Sequence, residues 1–134
     1  MKKFIHALDS RYELPDKNTL KCTLIPKVYE NLKNKLEEAL AITSYLNITT
    51  DMCTSNANKG IQALTCHFIN DGILLSPLLK VTKVEGHHNS ETMAHVINNI
   101  LEEYNIHDKI VTIVTDNASV MKETADMLKI RHSP

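Results

Sequence analysis

The sequence predicts an α/β domain built from a three-strand antiparallel meander, a helical crossover and a fourth, parallel strand. Three observations carry this. Segments 45–52, 61–69 and 73–84 are rich in β-branched residues, and Asn70-Asp71-Gly72 between the last two is a strong hairpin signal. A wide apolar stripe at helical spacing then runs from Met93 to Tyr104. Finally, Ile110-Val111-Thr112-Ile113-Val114-Thr115 is a nearly unbroken β-branched run, the pattern of a central strand buried on both faces.

The elements follow in order. Residues 1–27 read as an irregular arm punctuated by Pro15 and Pro26, with six Lys/Arg against three Asp/Glu. That local basic excess permits phosphate contacts without demanding them. A helix is expected from Val28, where Val28, Leu32, Leu36 and Leu40 recur every four residues and need a partner surface. Residues 28–134 are then one domain with this helix leading it. Pro77 makes the third strand an edge or places a bulge in it. Asn89 or Ser90 is suited to cap the Met93–Tyr104 helix. The crossover is expected to be right-handed, which sets the 110–115 strand parallel to one of the meander. A last helix follows Asp116-Asn117, with Met121, Ala125 and Leu128 on one side.

Composition narrows the function classes. A chain of 134 residues with 43% hydrophobic and 23% charged residues is that of an ordinary globular protein, and its net charge of −1 argues against a generic polyanion-binding surface. No apolar run approaches the ~18 residues of a membrane span. The apolar stretch after Lys2-Lys3 is cut short by Asp9-Ser10-Arg11, too soon for a signal peptide. Cys22, Cys53 and Cys66 are dispersed and odd in number, which points to reduced thiols rather than a disulfide frame or zinc site. Three scattered glycines leave no phosphate-binding loop, so no small-molecule substrate is expected.

Asp51 and Asp116 each terminate a β-rich segment. If the two strands are parallel neighbours, both carboxylates reach one rim at the carboxyl ends, where sites form in open α/β sheets. Hard oxygen donors favour Mg²⁺ or Mn²⁺. An aspartate after a strand also commonly caps the next helix, and spacing leaves both readings open. His87, His88, Glu91 and His95 read as a solvated helix start, Cys66 and His67 point to opposite faces of one strand, and Lys122 and Lys129 solvate the last helix.

Flanking motifs separate the two readings of the aspartates. Ile48-Thr49-Thr50-Asp51-Met52-Cys53-Thr54-Ser55 resembles the T-D-x-W-T-S segment of hAT-superfamily transposases, and Val114-Thr115-Asp116-Asn117-Ala118-Ser119-Val120-Met121 resembles their T-D-N-A-x-N-M segment. Leu8-Asp9-Ser10-Arg11-Tyr12-Glu13-Leu14-Pro15 is similar to the L-D-P-R-Y-K-x-P stretch of related BED-type zinc-finger proteins, and His87-His88-Asn89-Ser90-Glu91 falls where the family has H-T-x-E-N. The resemblance implies a partial ribonuclease-H-like fold, nuclear location and metal-dependent DNA cleavage and strand transfer. Asp51 and Asp116 would be two of three metal-binding acids. It also implies DNA as partner in the intact family, or a domesticated, non-catalytic interaction module.

Cys53 replaces the family tryptophan, Asn89 a threonine and Val120 an asparagine. Residues 130–134 resemble the segment just before the family's C-x-x-H motif. That motif, the helical insertion, the glutamate-bearing helix and the BED finger are not in this sequence, so no cleavage by this chain alone is expected. The strand at 110–115 is then expected to lack an outer neighbour, favouring self-association.

Overall fold

A computed structural model describes residues 9, 11, 14–54, 60–84, 89–116 and 119–133. The chain forms two compact units, Met1–Leu36 and Glu37–Pro134.

Helix formation begins earlier than the Val28 stripe predicts. Asp16 caps a first turn, Lys17–Thr19, accepting the Thr19 N–H at 2.7 Å. The chain continues through a π-helical turn, Leu20–Leu24, into α1, Ile25–Ile42. Pro26 explains the π turn. In α register the Cys22 carbonyl would need the N–H that Pro26 lacks. The π register shifts each pairing by one residue, as the Ile25 N–H on the Leu20 carbonyl shows. The expected apolar stripe is buried only at Leu40, in the second unit; Val28 and Leu32 are 58% and 62% exposed.

The second unit is a six-stranded mixed sheet with two helices. Its strands are β1 (Leu46–Thr54), β2 (Gly60–Asn70), β3 (Ile73–Leu75), β4 (Leu78–Val84), β5 (Ile110–Val114) and β6 (Arg131–Ser133). The order is β3-β2-β1-β5-β6, with β4 also on β2. β1, β2 and the β3–β4 segment are the antiparallel meander, and β5 joins β1 in parallel.

Asp71 (φ 50°) and Gly72 (φ 77°) turn β2 into β3, the two left-handed residues that a type I′ hairpin requires. Pro77 divides the third segment into β3 and β4; its carbonyl accepts the Cys66 N–H at 3.1 Å, and the β2–β4 register shifts at Leu64/Thr65. Lys109 closes the end of α1, donating through Nζ to the Leu40 and Ala41 carbonyls at 2.7 and 2.9 Å.

The crossover helix is α2, Ser90–Glu103, capped by Asn89, whose side chain accepts the Thr92 N–H at 2.9 Å. The last helix is α3, Ser119–Leu128. One face of the sheet carries Leu46, Ile48, Leu64, Cys66, Phe68 and Ile113, all buried, and the helices contribute Met93, Ile97, Ile100, Leu101, Met121, Ala125 and Leu128 to the same core. Thr124 Oγ1 donates to the Ser90 carbonyl at 3.3 Å, tying α3 to the start of α2.

Two expectations are corrected at β5. It is not buried on both faces, since Val111 is 46% exposed and Thr112 and Val114 on the open face are half-buried. It does not lack an outer neighbour either. β6 pairs with it in parallel, Thr112 to Arg131, Ile113 to His132 and Val114 to Ser133. The cause is Lys129, whose left-handed backbone (φ 55°) ends α3 while the Ile130 N–H bonds the Ala125 carbonyl. That turn returns the chain alongside β5, so the proposed self-association through a bare β5 edge loses its basis.

All three cysteines are free: Cys22 and Cys53 are exposed and Cys66 is buried. Burial disfavours the Cys66 thiolate and pushes its pKa up to about 11. In the native chain at pH 8, Cys22 and Cys53 are therefore expected to react with a maleimide and Cys66 to react only after denaturation. Labelling followed by mass spectrometry checks this, and rapid native labelling of Cys66 would contradict its burial.

Candidate functional site

Strand alternation decides which side chains share a surface. On β1, Leu46, Ile48 and Thr50 point to the helix-covered face and are buried, while Asn47, Asp51 and Cys53 are exposed on the other. On β2, opposite, Gln62, Leu64 and Cys66 are buried, and Ala63 is the partner of Asp51. On β5, Ile113 and Thr115 are buried and Asp116, the second residue after the strand, is exposed.

The β1–β5 register relates the residues that precede the two aspartates. Ile48 is the partner of Ile113, and Thr49 of Val114. Carried two residues beyond its last pair, this register would set Asp51, within β1, beside Asp116, just past β5, on the open face. This is the rim at which open α/β sheets place ligands. Side-by-side carboxylates repel, and a divalent cation between them relieves that repulsion.

The donor set fits such an ion. Mg²⁺ is commonly held by one or two carboxylates, the rest of its shell being water and substrate phosphate. Among the described residues no group of three or more His, Cys, Asp or Glu is placed to hold a metal ion.

The residues behind the rim were not singled out by sequence reasoning. A Thr-Asp dipeptide follows the last β1–β5 pair on each side, Thr50-Asp51 within β1 and Thr115-Asp116 just past β5. Each threonine is buried and tethered to a neighbouring strand. Thr50 Oγ1 accepts from Gln62 Nε2 at 3.1 Å, and Thr115 Oγ1 shares a hydrogen bond with His132 Nε2 at 2.9 Å. The repeated dipeptide was the available signal, because alternation turns its first residue inward when its second faces out.

The other candidates do not assemble into a site. His87 and His88 lie outside the described residues, as does Asn117. His95 Nε2 is bonded to Asn99 Nδ2 at 3.2 Å, along its own helix. Cys66 and His67 take opposite faces as expected. His67 sits on the open face, with Nε2 3.0 Å from Thr49 Oγ1 and Nδ1 2.9 Å from Ser76 Oγ, which stitches β1, β2 and the β3–β4 junction. Lys122 and Lys129 are exposed. No helix among the described residues is long and apolar enough to cross a membrane.

Comparison with known proteins agrees with the motifs. The chain is 29% identical over 119 residues to a putative AC transposase of Zea mays, a match covering 87% of this chain and 15% of that protein. It is 31% identical over 107 residues to the putative transcriptional regulator tpeD of Talaromyces stipitatus, covering 79% of this chain and 12% of the relative. It is 25% identical over 116 residues to the zinc finger BED domain-containing protein RICESLEEPER 2 of Oryza sativa subsp. japonica, covering 85% and 16%. The chain thus spans about a sixth or less of the length of these relatives. Residues 49–133, which include both aspartates and every strand from β2 to β6, match the ZBED1 RNase-like domain, and the chain belongs to that family within the hAT and BED-type transposase relatives.

Proposed function

We propose that this chain is part of a hAT-type DNA transposase, or of a nuclear protein derived from one, and that Asp51 and Asp116 jointly hold a single Mg²⁺ or Mn²⁺. The observation that supports this most is the parallel β1–β5 register, Thr49 to Val114, whose continuation by two residues would bring the two aspartates to one rim. Such an ion, when bound, activates water and stabilises the leaving oxygen in phosphodiester cleavage. The chain's own part is to present two exposed carboxylates, one on β1 and one just past β5, to a phosphate backbone approaching the open face. Cleavage requires a third acid beside this pair, and the described residues place none there.

In a second reading, the fold serves as a DNA- or protein-interaction module without cleavage. A relative named as a transcriptional regulator is in keeping with it.

Mn²⁺ titration of the purified chain, paired with a nicking assay on supercoiled plasmid, tests both readings. The expected result is one Mn²⁺ per chain, lost in the Asp51→Asn/Asp116→Asn double variant, with no nicking by the chain alone. Equal Mn²⁺ affinity in the wild type and the double variant would remove the metal reading. Metal-dependent nicking would remove the interaction-module reading.

A further inference from the structure

The two Thr-Asp dipeptides follow the last pair of the β1–β5 ladder, Thr49 with Val114. Past that pair the two segments are no longer held to each other by ladder hydrogen bonds. Asp51, still paired with Ala63 of β2, and Asp116, two residues past β5, both lie beyond that ladder, so something else must set their separation. Thr50 and Thr115 occupy the position immediately before each aspartate, buried on the helix-covered face. Their partners come from outside the β1–β5 pair. Gln62 belongs to β2 on one flank and His132 to β6 on the other.

Gln62 is a costly residue to keep for stability alone. It is 1% exposed, its Nε2 bonds Thr50, and its Oε1 has no hydrogen-bond partner. A buried amide left half-satisfied is worse for a core than an apolar side chain of similar shape. Its benefit to the molecule is then the grip on Thr50.

We propose that Thr50, held by Gln62, and Thr115, held by His132, are paired positioning residues that set the two carboxylates at a fixed separation. The clamps act through the backbone of the Thr-Asp dipeptide and touch no ligand. Their effect on metal affinity rests on the reading of Asp51 and Asp116 as metal ligands; their effect on the strand ends does not.

The test uses the whole chain and the variants Gln62→Leu, Thr115→Val and Thr50→Ser, read by thermal unfolding without metal, amide hydrogen exchange and Mn²⁺ affinity. Gln62→Leu is expected to unfold at the wild-type temperature or above, to speed exchange at Thr50–Asp51 relative to Leu46–Ile48, and to weaken Mn²⁺ binding roughly three- to tenfold, about the effect of one net hydrogen bond. Thr115→Val is expected to do the same at Thr115–Asp116. Thr50→Ser, which keeps the hydroxyl, is expected to retain wild-type behaviour.

Wild-type exchange at both strand ends in Gln62→Leu and Thr115→Val would overturn the clamps, whether or not metal binds. Local exchange that rises with Mn²⁺ affinity unchanged would overturn the positioning role. Local exchange that rises when even the wild type binds no Mn²⁺ would support the clamps and sink the metal reading instead.

Discussion

Ile48→Ala is expected to lower unfolding stability by about 3 kcal/mol, the middle of the range for truncating a buried isoleucine. Ile48 is completely buried in β1, with Cys66 of β2 and Ile113 of β5 as its partners, both also completely buried. Removing three carbons there leaves a cavity bounded by two strands that cannot close on it without breaking register. Against a total stability on the order of 5–15 kcal/mol, that loss is large. Urea unfolding measures it as a lowered midpoint at constant slope. Val81→Ala on the open face is the control, since Val81 is 55% exposed, and should cost less than about 1 kcal/mol. Equal losses at the two positions would mean that the helix-covered face is not the core.

Asp51→Asn and Asp116→Asn are each expected to weaken Mn²⁺ binding at least about tenfold, a floor taken from removing even the groups that support a ligand. Asparagine keeps the shape and one carbonyl oxygen but removes the charge. If one ion is shared, either substitution disables the same site, so the double variant should lose little beyond the worse single. Two independent ions would give a different pattern, in which each single variant abolishes one equivalent and spares the other. Without metal, neither variant should unfold more easily, because both side chains are exposed. Calorimetric titration supplies both stoichiometry and affinity.

The parts legible in the sequence are those in which local chemistry and tertiary packing agree. Asn70-Asp71-Gly72 supplied the left-handed residues its hairpin needs, and the Met93–Tyr104 stripe supplied the crossover helix with its Asn89 cap. Other features depend on geometry that local pattern does not encode. Pro26 reads as a breaker, yet a π turn carries the helix past it. β6 is three polar or charged residues without strand character, made a strand by the turn at Lys129. The β-branched run of β5 matched a strand buried twice over, whereas its open face stays partly exposed because neither helix covers it.

At the site, the motifs made both aspartates expected ligands, and spacing alone left them open as helix caps. What would align them is the continuation of a parallel register whose last pair is Thr49 with Val114, segments far apart in the sequence. The Thr50–Gln62 and Thr115–His132 bonds were hidden for the same reason. Each joins residues whose proximity exists only once the strands are paired.

The central claim is that Asp51 and Asp116 share one divalent ion, and a crystal of the chain soaked in Mn²⁺ tests it most directly. The predicted result is a single anomalous peak at the β1–β5 rim, with an oxygen of each aspartate about 2.0–2.2 Å away, near the distance of octahedral oxygen-bound divalent ions. An empty rim, or a peak held by other residues with Asp51 and Asp116 turned apart, would contradict it.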